Sequence, residues 1–200
     1  MLDFSNSKIL IVGDVMLDKY YFGKVDRISP EAPVPIVNIQ KEESRLGGAS
    51  NVANNIVSLG GHSLLCGVIG RDLFGKEIER ISRHKNIDTF LLKTSSPTIT
   101  KARIIGGKQQ IVRVDYEDKS ELNADNKKLF RDTISRILPE QGYTYFLLAK
   151  LYTNPSFLHP DKFHKAAKRF LAFQPSTQNN ITKEMKEEIL HIIRNWNFGK

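Results

Sequence analysis

One cysteine, one tryptophan and three methionines are all that the chain holds of those residue types in 200 positions. A lone Cys66 excludes an internal disulfide and fits a reducing compartment. It lies in the apolar run HSLLCGVIG, which makes it a packed core residue before it is a nucleophile. No apolar run approaches the roughly 20 residues that a helix needs to cross a bilayer. The first ten residues, MLDFSNSKIL, lack a charged segment followed by a long apolar one, so no secretion signal is read there. Zinc-ligand spacings are missing, and His159, His164 and His191 are too scattered to argue for a metal. Repeats and low-complexity tracts are missing as well. These absences leave the expectation of a soluble cytoplasmic protein without membrane contact, built as one domain or one domain with a small accessory layer.

What is present begins with charge and apolar content. Forty per cent apolar residues is enough to bury a core. The formal net charge is +8, spread unevenly. Residues 1–149 hold 21 Lys/Arg against 18 Asp/Glu, and residues 150–200 hold 9 against 4. A basic segment can serve nucleic acid or an anionic surface. No recognition-helix or RNP-like aromatic pattern accompanies it, which argues against nucleic acid and for a solvated basic face.

Along the chain, KILIVG reads as a buried strand of a parallel sheet. Asp14 follows at its carboxyl end, either as an acceptor for sugar hydroxyls or as a turn cap. The segments YYFGKV, ISPEAPVP and PIVNI read as a small sheet beside the main core. Arg45 to Gly60 carries Gly47 and Gly48, then Asn51, then Val52, Ile56 and Leu59 at helical spacing. That pattern is either a tight turn before a buried helix or a helix start offering amides to a polar ligand. HSLLCGVIG is a strand and RDLFGKEIERISRH an amphipathic helix. Their junction GRDLFGKE nearly matches a phosphate-binding loop, but Glu77 stands where the magnesium-ligating hydroxyl belongs, and Lys76 reads as solvent-facing. NIDTFLLK is a further strand.

PTITKARII and QQIVRVDYE, joined at Gly106-Gly107-Lys108, predict a hairpin. Lys101 and Arg103 share one of its faces, as two cations that repel unless an anion lies between them. The face is either an exposed basic surface or a phosphate clamp. Asn123 to Leu138 is helical in pattern, stopped at Pro139, and YTYFLLA is one more strand. Two basic amphipathic helices are expected around Pro175 to Asn180, the last with Ile189, Ile192, Ile193 and Trp196 on one face.

Taken together, the pieces resemble the N-terminal part of the ribokinase-like sugar kinases. A first strand ends in GD, a proline-rich β excursion follows, GG…SNVA opens a helix, and GVIGRDLFG is similar to that superfamily's G-x-x-G-x-D-x-x-G signature. GDVMLDKYYFGKVDRISPEAPVPIV, RLGGASNVANNIVSLGG and PTITKARIIGGKQQIVRVDYE are similar to the kinase domain of bacterial heptose 7-phosphate kinases, over about Lys8 to Glu117 and more loosely to Lys150. The resemblance implies an α/β fold, a parallel-sheet core with a small β lid at about 20–40 and 98–116. It implies transfer of a phosphoryl group from ATP, with magnesium, to the anomeric hydroxyl of heptose 7-phosphate, on the route to ADP-heptose and lipopolysaccharide core. As substrate-binding residues it implies Asp14, Gly47, Gly48 and Asn51 on the sugar, and Lys101, Arg103, Gln110 and Arg113 where a sugar phosphate would be held. It also implies a homodimer through the lid.

That family carries its catalytic Asp in a late G-A-G-D motif, and no GAGD occurs here. Residues 1–150 are therefore expected to be the N-terminal part of such a kinase domain, incomplete in its core, and 151–200 a basic helical tail unlike the family. With no catalytic residue assigned, the expectation is a truncated, catalytically impaired form. The alternative is a non-catalytic sugar-phosphate-binding or dimerisation module.

Overall fold

The computed structural model describes residue 5 and residues 7–118, 120, 122–140 and 145–149. The expected tail helices, their histidines and Trp196 lie outside the described residues. The elements run β1 (Lys8–Gly13), β2 (Val15–Ile28), β3 (Pro35–Gly48), α1 (Ala49–Ser58), β4 (His62–Gly70), α2 (Leu73–His84) and β5 (Asp88–Thr94). They continue with β6 (Thr100–Gly106), β7 (Gln109–Tyr116), α3 (Ala124–Glu140) and β8 (Tyr145–Ala149). Two four-stranded sheets result. One is all-parallel, in the order β5-β4-β1-β8, and the other is the lid, in the order β3-β2-β6-β7.

The parallel sheet forms where the sequence has short continuous apolar runs, because both of its faces are covered. Alternation along β1 divides the core. Leu10 and Val12 point to one side with Cys66, Leu92, Phe130 and Ile134 of α3. Ile11 points to the other, with Leu65, Ile69, Ala49 and Ala53 of α1, and Ile78 and Ile81 of α2. Cys66 is fully buried, and burial pushes its thiol up to about 12.

Each glycine of the G-x-x-G-x-D-x-x-G signature marks a close approach. A Cβ on Gly67 would stand 2.3 Å from Val15 Cγ2, and one on Gly75 2.4 Å from the Gly70 carbonyl. Asp72 caps α2. Its Oδ1 accepts from the Gly75 N–H and from Thr98 Oγ1, and its Oδ2 from the Thr98 N–H, each at 2.7 Å. Thr98 Oγ1 in turn accepts from the buried Gly70 N–H at 2.9 Å. The signature thus fastens the start of α2 to the segment that enters β6.

Three expectations are corrected. Leu59 is 63% exposed, because α1 ends at Ser58 and Leu59, its C-cap, falls beyond the last turn. The face that α1 buries is instead Ala49, Ser50 and Ala53, small residues that bring the helix close to the sheet, with Val52, Ile56 and Val57 at its margins. Arg45 to Gly48 are not a turn but the end of β3, paired with Val15 to Asp18 of β2. Helix α3 runs through Pro139 to Glu140, so the proline stands in its last turn and the helix ends one residue after it. Its start is as read, with Asn123 Oδ1 accepting from the Asn126 N–H at 2.8 Å.

Candidate active-site cleft

Strand β2 joins core to lid. Val15 and Leu17 are buried in the core, and the strand then runs on as the second strand of the lid. It pairs antiparallel with β3 and parallel with β6. This register sets rows across the lid. Arg45, Asp18, Lys101 and Asp115 form one row, and Glu43, Tyr20, Arg103 and Arg113 the next. All eight side chains share a face, since directly paired residues point the same way and rows two residues apart repeat.

The anions between the lid cations are carboxylates of the lid itself. Arg103 Nη1 donates to Asp18 Oδ1 at 2.5 Å. Lys101 Nζ lies 3.3 Å from Asp115 Oδ2 and 4.0 Å from Glu117 Oε2. Arg113 clasps Asp115 with Nε and Nη2, at 2.8 and 3.0 Å. Burial raises the Asp115 carboxyl, but the bonds from Arg113 and Lys101 outweigh it and hold the group below the usual carboxylate range. Glu43 likewise takes Lys41 and Arg45, whose bonds lower it. Tyr20 lies under two guanidinium groups, with Arg45 Cζ 4.6 Å and Arg103 Cζ 5.2 Å from its ring centroid.

An open cleft of about 620 Å³ runs between the β2–β3 end of this lid and the two helices below it. Asp18, Tyr20, Glu43 and Arg45 line it from the lid, and Asn51 and Asn54 from α1. Of the expected site residues, Asn51 lines this cleft. Gly47 lies against Asp18: a Cβ there would stand 2.7 Å from Asp18 Oδ2. Gly48, at φ 64°, turns the chain from strand into helix, a conformation suited to glycine. Asp14 sits half-buried between β1 and β2, and its carbonyl accepts from the Ala49 N–H at 3.0 Å, which anchors the start of α1. Lys101 and Arg103 are neighbours as expected, on β6. Arg113 is opposite Arg103, and Gln110 stands exposed on the outer strand beside an irregularity of the β6–β7 pairing.

Sequence reasoning passed over Asp18, Tyr20, Asn54 and Asp115. The signal for Asp18 lay in VMLDKYYF: once the strand is started at Val15, Asp18, Tyr20 and Phe22 fall on one face. No sequence signal pairs Asp18 with Arg103, because the two are joined by a parallel register between distant strands.

The glycine-rich junction before α2 does not cradle a nucleotide phosphate. Its Gly75 N–H is taken by Asp72, Lys76 is exposed, and Glu77 is bonded to Arg80. Among the described residues, no group of three His, Cys, Asp or Glu side chains could hold a metal ion. Nor does any described helix have the length and apolar character to cross a membrane.

A parallel sheet with α1 led in by two glycines, an Asp-capped signature helix and a second, β-only sheet are the features of the ribokinase-like fold. The chain belongs to the pfkB family of carbohydrate kinases, whose profile matches residues 6–137. It is 47% identical over 133 residues to the "Bifunctional protein HldE" of Nitratiruptor sp., covering 66% of this chain and 29% of that protein. It is 50% identical over 118 residues to the "D-beta-D-heptose 7-phosphate kinase" of Bordetella bronchiseptica, covering 58% and 38%. Among solved structures, the tetrameric inhibited form of phosphofructokinase-2 from Escherichia coli superposes with a TM-score of 0.54 at 16% identity, over 72% of this chain and 44% of that one. The chain thus spans about a third of the length of these curated relatives.

Proposed function

We propose that residues 8–149 form the acceptor-sugar side of a heptose 7-phosphate kinase. The observation that carries the reading is the cleft in which Asp18, a carboxylate, and Asn51, an amide, meet over the Gly47–Gly48 entry to α1. Carboxylate and amide groups on a rigid wall are the donors and acceptors that a polyol needs. The name of the Bordetella bronchiseptica relative supports heptose 7-phosphate as the sugar. In this reading Asp18 accepts sugar hydroxyls, Asn51 hydrogen-bonds the same acceptor, and Asp14 holds α1 in place through its carbonyl. Lys101, Arg113 and Gln110 are the lid residues that meet the phosphate, which takes the place of Asp115.

The donor is ATP with magnesium, in a cytoplasmic setting, and the product enters ADP-heptose synthesis. In this reading the chain, whose sequence has no G-A-G-D motif, binds the acceptor without transferring phosphate to it. Calorimetry with heptose 7-phosphate is the test, with Asn51→Ala as control. Binding by the parent and its loss in the variant support the reading, whereas no binding by the parent refutes it. Robust turnover with ATP and magnesium would refute the inactive part alone.

A second reading, dimerisation through the lid, is favoured by β7. This edge strand exposes Ile111, Val112, Val114 and Tyr116, each between 38 and 48%. A monomer by sedimentation at micromolar concentration would refute it.

A further inference from the structure

We propose that Arg103 is a positioning residue. It acts on the acceptor sugar through Asp18, by fixing that carboxylate in its hydroxyl-accepting orientation, and does not itself read the phosphate. The inference rests on the acceptor-site reading above and assigns one residue within it.

The register places Tyr20, not Asp18, beside Arg103, so the guanidinium reaches back one row to make its bond. Three restraints hold it there. Nη1 donates to Asp18 Oδ1 at 2.5 Å and to the Lys101 carbonyl at 3.3 Å, and the plane lies over the Tyr20 ring. Arg103 and Asp18 are 20% and 21% exposed, so the pair is partly withdrawn from water, where a charge-assisted bond is at its strongest. An arginine tied at three points is poorly placed to swing toward a ligand. A phosphate at Arg103 would also stand beside the Asp18 carboxylate, with like charges in contact.

The carboxylate gains from the same geometry. Oδ1 is occupied by Arg103, and Oδ2 is directed at Gly47, where the missing Cβ leaves it room. Fixed in this way, Asp18 meets a sugar hydroxyl without first losing rotamer freedom. Lys101 and Arg113 differ in partner: both lean on Asp115 in the outer half of the lid, Lys101 at 14% exposure and Arg113 at 48%. Exchange of one anion for another is easier at Arg113, the exposed member.

The test compares heptose 7-phosphate with the unphosphorylated heptose, the latter measured by competition. The variants are Arg103→Met, Arg103→Lys, Asp18→Asn and the Arg103→Met/Asp18→Asn double. Under the proposal, Arg103→Met weakens both acceptors by the same factor, at least about ten-fold. Arg103→Lys recovers part of the affinity for both. In the Asp18→Asn background, Arg103→Met costs nothing more, which a merely structural role would not produce. Loss confined to the phosphorylated acceptor would make Arg103 a phosphate reader and overturn the proposal. Additive losses, or unchanged binding, would overturn it as well. If Arg103→Met fails to fold, Arg103→Lys carries the comparison: an equal, smaller loss for both acceptors supports the proposal, and an unequal one overturns it. Absence of binding by the parent would bring down the acceptor-site reading and this inference together.

Discussion

Asp72 offers a sharp perturbation of the scaffold beneath the cleft. Its carboxylate receives three hydrogen bonds at 2.7 Å, two from Thr98 and one from the Gly75 N–H at the start of α2. Hydrogen bonds to a charged group contribute about 1.5–3 kcal/mol each. Loss of an N-cap costs about 1 kcal/mol. These terms overlap, because one side chain makes all of them and it is not fully buried. Asp72→Ala should therefore cost about 3–4 kcal/mol, not the sum. For a domain of this size that lowers the melting temperature by roughly 10 °C, measured by circular dichroism.

The pH dependence has a definite sign. Burial raises the Asp72 carboxyl, but the bonds from the Thr98 N–H, the Gly75 N–H, Thr98 Oγ1 and the Phe74 N–H prevail and hold it below its ordinary value. A lowered pKa in the folded state contributes stability that is complete above the unfolded value, near 4, and is lost as pH falls through the folded one. The parent should thus lose this contribution below about pH 4, and Asp72→Asn should show a flatter acid limb. An Asp72→Ala variant melting within about 2 °C of the parent would refute the clamp.

Other consequences are open to measurement. Thr98→Val strands the buried Gly70 N–H and should cost about 2 kcal/mol, with part of that shared with Asp72→Ala in a double-mutant cycle. Gly67→Ala places a Cβ 2.3 Å from Val15 Cγ2 and 2.8 Å from the Gly13 carbonyl; urea denaturation should show a loss of about 3 kcal/mol or more. Gly47→Ala places a Cβ 2.7 Å from Asp18 Oδ2 and 2.8 Å from the buried Met16 Cγ, and should lower both acceptor binding and the melting temperature, read by calorimetry and circular dichroism. Cys66, buried and pushed up to about 12, should resist a thiol reagent at pH 7.5 until the chain unfolds; fast labelling of the native protein would contradict its core placement.

The parallel sheet was legible because a strand covered on both faces is written as an unbroken apolar run. KILIVG and HSLLCGVIG became β1 and β4 at those limits. The β6–β7 hairpin was legible from local chemistry, with Gly107 at φ 63° in its turn. The lower half of β3 was not. KEESR is a charged stretch that resembles a solvated loop, and it becomes strand because β2 pairs with it residue by residue. Helix α1 misled at Leu59 because apolar spacing says nothing of where a helix stops. The cleft was half legible. Gly47, Gly48 and Asn51 stand in a local motif and Asp115 in the hairpin of Lys101 and Arg113, whereas Asp18 and Arg103 come from strands apart in sequence. Asp14 drew attention by its place after β1; Asp18, four residues on, and Glu43 are carboxylates that line the cleft.

The parallel ladder between β2 and β6 also bears on how the molecule assembles. Leu17 must find Thr100 across about 80 intervening positions, and everything between them, from β3 through β5, has to be accommodated first. Closing so long a loop has an entropic cost that local hairpins avoid, and topologies of this kind fold slowly. The β2–β3 and β6–β7 hairpins can each form early, but neither is a lid until the Asp72–Thr98 clasp has set the start of β6 against the core. Amide exchange should therefore protect last, during refolding, the N–H groups of β2 and β6 that bond across this ladder, which makes the cleft a late product of assembly.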